Sequence, residues 1–326
     1  MTDATIPAIA TTIPALLFSA ARHHGERAAL EEPGRRISYT ELPGEALAVT
    51  RALIAEGIQP GDKVAIWAPN CIDWVLAALG IHCAGAVMVP INTRMKGAEA
   101  ADILARSHTR LLFCIGNFLG TDYPAMLAPV RPACVGKIVV LGEWQEAWQG
   151  GQPWAAFLAS GAGISNEQAR ARAEAVGPDD IADLMFTSGT TGKPKGVMSA
   201  HAPTLRAFAE YVRIIGLQAG DRYLVVNPFF HSFGYKAGWI TCLIAGATIL
   251  PQPVFDAEAV FQRIEADRIT ALPGPPTLYL SMLAHPRLAE ADLSSLRIAV
   301  TGASTIPPIL IERMRRELGI RVVTTA

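Results

Sequence analysis

Residues Leu184 to Val197 read LMFTSGTTGKPKGV, and both fold and chemistry turn on this stretch. The apolar run Ile181, Leu184, Met185 and Phe186 predicts a buried strand that leads straight into hydroxyls and glycines. Thr187, Ser188, Thr190 and Thr191 place four hydroxyls within five positions. Gly189, Gly192 and Gly196 let the backbone come close to a ligand. Lys193 and Lys195 add two cations, and Pro194 between them opposes helix. Free backbone N–H groups beside hydroxyls and two ammonium groups suit a polyphosphate. The spacing is not that of a Walker A loop, which has four residues between its glycines and a Ser or Thr after its Lys. Here two residues separate Gly189 from Gly192, and Pro194 follows Lys193. The competing reading is a flexible Gly/Ser/Thr linker; Lys-Pro-Lys-Gly directly after a buried strand argues against it.

The rest of the chain sets bounds on what this loop serves. At 326 residues there is room for two lobes, each with its own core. Hydrophobic residues make up 51% and mean hydropathy is +0.28, which points to buried α/β layers and excludes disorder. A net charge of −1 and a pI near 6.7 leave no electrostatic footprint for nucleic acid. Cys71, Cys83, Cys114, Cys134 and Cys242 are odd in number and form no CxxC pair, so they read as reduced core thiols of a cytoplasmic protein. Ile6 to Ala21 is mildly apolar but lacks the basic flank of a signal peptide. Val75 to Ile91 is interrupted by His82, Gly85 and Pro90 and is too short to span a membrane. A soluble protein is expected.

Working outward, strands alternate with helices. Pro14 to His24 predicts a helix, Ile37 to Leu42 an alternating strand, and Glu45 to Gly57 a helix ending at glycine. Lys63 to Ala68 predicts a buried strand, and Asn70 a cap for the helix Asp73 to Ala84. Strands follow at Val87 to Asn92, Leu111 to Ile115 and Lys137 to Leu141, with a helix over Ala98 to Ser107. After the loop, helices are expected at 203–216, 235–245, 257–267, 277–285 and 307–318, and strands at 223–227, 248–250, 271–272, 296–300 and 321–325. Such alternation predicts parallel, doubly wound sheets. The expected division is a first α/β lobe over 1–177, with a surface excursion at 142–177, and a second lobe over 178–326 carrying the loop. A cleft between lobes is the default ligand site.

Three further segments are candidate stations. Asn227 to Gly238 (NPFFHSFGYKAG) runs a strand into Pro228, two aromatics, His231, Phe233 and Gly234. A lone His beside aromatics is ordinarily a satisfied structural histidine. Arg297 to Thr305 (RIAVTGAST) ends a buried strand in Gly302, Ala303 and Ser304, and strand carboxyl ends are where α/β sheets receive ligands. An ordinary strand–turn–helix corner reads the same way. In Ala271 to Leu280 (ALPGPPTLYL) two prolines after Gly274 make a rigid turn ahead of a helix. His23, His24, His82, His108, His201 and His285 match no metal spacing, and no Ser/His/Asp order or nucleophilic Cys context is present.

The loop Thr187 to Gly196 resembles the signature loop of the AMP-forming acyl-CoA synthetases, the superfamily that also holds luciferases and peptide-synthetase adenylation domains. The resemblance implies ATP-dependent activation of a carboxylic acid and transfer to coenzyme A, with Mg²⁺. It implies that Thr187, Ser188, Gly189, Thr190, Thr191, Gly192, Lys193 and Lys195 hold the phosphates, with Thr187 also touching the metal. It implies that Gly302, Ala303 and Ser304 seat adenine, with Ala303 replacing the commoner glycine. His231, Phe233, Gly234 and Lys236 would border the acyl group, His231 as a gate, and Pro275 and Thr277 would line the acyl and pantetheine channel. LGIHCAGAVMVPINTR, NPFFHSFGYKAG and DLSSLRIAVTGAST resemble the bacterial ligases of steroid catabolism, which activate ring-derived propanoates. Lys236 either faces solvent, pairs with an acid or meets a ring oxygen; a plain fatty-acid tunnel favours an apolar residue there.

Alternatives are a medium- or long-chain fatty-acyl-CoA ligase and a non-catalytic nucleotide-binding fragment. A peptide-synthetase adenylation domain is disfavoured because no Asp occurs in Asn227 to Ala245. The family's metal-binding Glu, ribose-binding Asp, β-barrel and small C-terminal domain with its catalytic Lys find no counterpart here. The expectation is therefore an N-terminal portion, inactive alone, whose exposed apolar face favours a homo-oligomer.

Overall fold

The computed structural model describes residues 10–148, 150–187, 194–302 and 306–325. They pack as two compact units. The first holds the described residues up to Arg22 with Thr40–Pro69 and Asp73–Ala207; the second holds His23–Tyr39, Asn70–Ile72 and the described residues from Phe208. Along the chain the strands are β1 Ala28–Glu32, β2 Arg35–Ser38, β3 Lys63–Trp67, β4 Val87–Pro90, β5 Thr109–Ile115, β6 Asn117–Phe118, β7 Thr121–Asp122 and β8 Lys137–Leu141. They continue as β9 Gly151–Pro153, β10 Ile181–Thr187, β11 Lys195–Ala200, β12 Arg222–Val225, β13 Thr248–Pro251, β14 Ala271–Pro273, β15 Ile298–Thr301 and β16 Val322–Thr325.

The first unit is built on a seven-stranded sheet of order β11-β10-β4-β3-β5-β8-β9, parallel except where β11 pairs antiparallel to β10. Val64, Ala65, Ile66 and Trp67 of β3 are all buried, as a central parallel strand covered on both faces requires. The loop-bearing pair β10–β11 belongs to this sheet. The units therefore change over after Ala207, not at the expected residue 177. Residues 142–177 pack more than a surface excursion would. They add β9, bury Phe157 completely, and seat Trp148 on Gly116, where a Cβ would come within 2.0 Å of the indole. The Trp148 indole N–H donates to Asp122 at 2.9 Å.

The second unit has the order β16-β15-β14-β12-β13-β1-β2, again parallel except for its edge hairpin β1–β2. The expected strand Ile37 to Leu42 is instead β2, which ends at Ser38, and its partner β1 was not foreseen. At the amino edge of this sheet Asp221 is nearly buried and fully engaged. It accepts from Gln218 N (2.9 Å) and Thr270 Oγ1 (2.8 Å), and pairs with Arg297. A buried carboxylate persists only when charge and hydrogen bonds both offset its desolvation. The core above it gathers Leu224, Leu250, Phe261, Leu272, Tyr279 and Ala299.

His201 opens the helix His201–Ile215 and is buried in the first unit. Its Nδ1 accepts from Ile13 N at 3.3 Å, and its ring meets His82 edge-on with centroids 5.5 Å apart. Burial lowers its pKa from 6.5 to about 4, against a small opposing pull from Asp180. The unfolded chain therefore takes up a proton that the folded chain resists. This contribution is complete above about pH 6.5 and is lost as pH falls through 4, amounting to about 3 kcal/mol. Calorimetric melting between pH 7 and 4 should show His201→Gln losing Tm less steeply than the unaltered chain; equal slopes would contradict the assignment.

Candidate functional site

In the second unit the strand order reverses at β12, with β13 on one side and β14 on the other. The crevice at the carboxyl end of such a strand is where open α/β sheets bind ligands. The segment leaving β12 is Val226 to Gly234. Asn70, nearly buried, donates through Nδ2 to Val225 O and Asn227 O, both at 2.9 Å, and accepts through Oδ1 from Phe229 N at 2.7 Å. Asn70 is thus not the helix cap that its position before Asp73 predicted. The helix beginning at Ile72 takes its N-terminal acceptor from Glu32, at 3.1 Å from Ile72 N.

The turn that follows is tight. His231 N donates to Pro228 O at 3.0 Å, and Gly234 N and Tyr235 N both donate back to His231 O, at 3.0 and 2.9 Å. His231 Nδ1 accepts from Phe233 N at 3.2 Å, so a neutral ring carries its proton on Nε2, and the residue is exposed. A Cβ on Gly234 would lie 2.2 Å from Pro228 O and 2.3 Å from Asn227 O, so no other residue fits here. The apolar helix expected from Tyr235 to Ala245 begins as a π-helix, Tyr235–Ile240, the kind of irregularity frequent at functional sites. Lys236 within it is only 7% exposed, with Nζ 5.7 Å from the Tyr235 ring centre. It does not face solvent.

Neighbouring strand ends join the same edge. Asn227 Nδ2 donates to Pro273 O at 3.1 Å, linking β12 to β14, and Gly274 N donates to Val300 O at 2.8 Å, linking β14 to β15. The Tyr279 hydroxyl, fully buried, donates toward Leu272 O and Val300 O. Pro275 precedes the helix Pro276–Leu283, and Thr277 is exposed on its first turn. Gly302 is buried directly after β15, beside Thr301, whose buried hydroxyl has no partner among the described residues. Ala303 and Ser304 lie outside the described residues. His231, Gly234, Pro275 and Gly302 thus share the carboxyl edge of three adjacent strands.

In the first unit, Thr187 and Lys195 sit opposite each other in the β10–β11 register, both exposed, at the two stems of the loop. Ser188, Gly189, Thr190, Thr191, Gly192 and Lys193 lie outside the described residues. Arg106 braces the stems, lying 5.1 Å from the Phe186 ring centre and donating to Pro194 O at 2.8 Å. Sequence reading missed Asn70's actual partners and Arg106 entirely, because both act across 80 or more positions. For Mg²⁺ the described residues supply the Thr187 hydroxyl but no cluster of three metal-ligating side chains. One hydroxyl does not meet the carboxylate requirement of such a site. The five cysteines are free, and burial pushes the Cys83 thiol up to about 12 and raises Cys114 and Cys242 as well. None of these three is a thiolate nucleophile at neutral pH. Among the described residues no helix is long and apolar enough to cross a membrane.

Gly234→Ala should lower stability by about 3 kcal/mol, because its methyl group overlaps two backbone carbonyls rather than flexible side chains. Thermal melting checks this; a Tm within a degree of the unaltered chain would show that the turn yields freely.

Residues 17–325 match the AMP-binding enzyme family. A 3-[(3aS,4S,7aS)-7a-methyl-1,5-dioxo-octahydro-1H-inden-4-yl]propanoyl:CoA ligase of Mycobacterium tuberculosis is 48% identical over 315 residues, covering 97% of this chain and 61% of that protein. The ligase of the same name from Rhodococcus jostii is 45% identical, over 97% of this chain and 62% of that protein. The chain thus spans about three-fifths of these curated relatives. Among solved structures, an anthranilate CoA ligase in complex with anthranoyl-AMP superposes with a TM-score of 0.81 at 25% identity, covering 100% of this chain and 60% of that one. The inhibitor-bound N-terminal domain of FACL13 from Mycobacterium tuberculosis gives 0.76 at 26% identity, over 95% and 74%. The chain belongs to the AMP-binding enzyme family.

Proposed function

We propose that this chain is the nucleotide- and acid-binding part of an ATP-dependent carboxylate–CoA ligase. A carboxylate oxygen attacks the α-phosphorus of ATP, pyrophosphate leaves, and the thiol of coenzyme A then displaces AMP to give the thioester. The observation that carries this reading is the carboxyl edge of the second unit, where β12, β14 and β15 present His231, Pro275 and Gly302 on segments hydrogen-bonded to one another. Chemistry of this kind depends on positioning and charge neutralisation more than on a protein nucleophile. That fits the absence of a nucleophilic cysteine context. In this reading Lys195, with Lys193, offsets phosphate charge, and Thr187, Ser188, Thr190 and Thr191 donate to phosphate oxygens. Gly302, Ala303 and Ser304 seat adenine, while His231 and Phe233 border the acyl chain and Gly234 allows their turn. The free thiols suit a reducing cytoplasm.

For the acid, we infer a ring-derived propanoate bearing ketones. Two relatives at 48% and 45% identity are named for such a dioxo-indenyl propanoate, which supports this class. In this reading Lys236, 7% exposed on the π-helix that follows the acid-bordering turn, meets a ring ketone oxygen of the acid.

Two measurements test the reading. Lys195→Ala should weaken ATP binding by about 10- to 100-fold, corresponding to one charge-assisted contact of about 1.5–3 kcal/mol, and by more than Lys193→Ala. Equal effects, or none, count against the loop assignment. In the whole enzyme, acid-dependent exchange of labelled pyrophosphate into ATP should favour the dioxo-ring propanoate over octanoate, and Lys236→Met should erase that preference. Preference for octanoate, with Lys236→Met silent, would replace the ring-acid reading by a fatty-acyl one.

A further inference from the structure

Beyond Val225 the chain leaves the sheet and loses strand partners on both sides. Gln252 N reaches back to Val225 O at 3.1 Å, and the Asn227 side chain reaches Pro273 O. Pro228 has no N–H to donate. Three further backbone groups of the segment go to a single amide. Asn70 gives both Nδ2 hydrogens to the carbonyls of Val225 and Asn227, and takes the N–H of Phe229 on Oδ1. Two donors and one acceptor on one short planar head are a set that only Asn offers at this length. Asp supplies acceptors alone when ionised, and Leu supplies neither. The turn that Asn70 holds is the one whose carbonyls press against Gly234 and whose next residues are His231 and Phe233. Nothing that Asn70 bonds belongs to Gly302 or to the β10–β11 stems.

We propose that Asn70 is a positioning residue that sets the geometry of the acid-binding turn, and thereby selects the acid without governing nucleotide affinity. This rests on the reading of Asn227 to Gly234 as the acid-bordering segment. Because these three bonds are made within the chain itself, the segment is preorganised, and losing the amide releases the acyl side of the site alone.

The test uses residues 1–326 as they stand, titrated calorimetrically with AMP and with two non-hydrolysable acyl-sulfamoyl adenosines. One carries the dioxo-indenyl propanoyl group and the other an octanoyl group. For Asn70→Ala and Asn70→Asp we expect AMP affinity within twofold of the unaltered chain, ring-acyl affinity at least tenfold weaker, and little remaining preference for ring over octanoyl. Parallel weakening of AMP and both analogues would mean that Asn70 is merely structural, and unchanged ring-acyl affinity would overturn the proposal directly. If the unaltered chain binds AMP but neither analogue, the acid-activating reading itself fails. Hydrogen exchange on the unaltered chain needs no variant: the Phe229 amide should be protected without ligand, and exchange at the rate of an exposed loop would refute the positioning role.

Discussion

A parallel sheet ends abruptly. At its carboxyl edge the last carbonyls point at nothing, and each must find a partner or remain at a cost of about 1–3 kcal/mol. In the second unit these groups are answered by side chains and by neighbouring turns. Asn70 takes Val225 and Asn227, Asn227 takes Pro273, Gly274 takes Val300, and Tyr279 takes Leu272 and Val300. The consequence reaches beyond stability. Each satisfied carbonyl fixes the exit direction of its strand, so that Asn70 holds the segment carrying His231 while Gly274 and Tyr279 hold the end of β15 before Gly302. The amino edge of the same sheet is closed differently, by the ion pair of Asp221 with Arg297 and the pairing of Arg222 with Glu31 at 2.5 Å. Ion pairs close one edge, and neutral amides and a hydroxyl satisfy the other.

The first unit solves a related problem at a sheet edge. Beyond β10 the chain turns back as β11, the antiparallel outermost strand, which leaves Thr187 and Lys195 face to face at the base of the loop. An edge hairpin can present exposed hydroxyls and cations because its outer residues need not be buried, and the exposure of Lys195, Gly196 and Val197 reflects that. Arg106 then ties the stems to the helix Gly97–Arg106, held in turn by Asp102 at 3.1 Å. Thr187 and Lys195 are thereby carried by a strand pair whose register is set by the sheet.

Much of this was legible in the sequence because parallel strands buried on both faces leave continuous apolar runs. KVAIW, VMVP and IAVT each stand out against their flanks, and each is a strand. β1 was missed because AALEE carries neither β-branched nor aromatic residues; it is a strand through pairing with β13 and β2, a tertiary effect. Asn70 was misread for a similar reason. A short polar residue before an apolar helix is the local signature of a cap, while its real partners lie 155 to 159 positions away. Lys236 was correctly singled out as anomalous, since a charge in an apolar run stands out, but the π-helical backbone that houses it leaves no periodicity to read. Residues 188–193, read as a phosphate loop from their hydroxyls, glycines and lysine, lie outside the described residues, which hold the flanking Thr187 and Lys195.

Central to the proposed function is that the carboxyl edge of the second unit binds an adenine nucleotide. Photolabelling of residues 1–326 with 8-azido-ATP, followed by peptide mapping, tests this most directly. The predicted result is label on the peptide containing Thr301 and Gly302, abolished by excess ATP or acyl-sulfamoyl adenosine. Label confined to other peptides, or label on this one that neither competitor displaces, would contradict it.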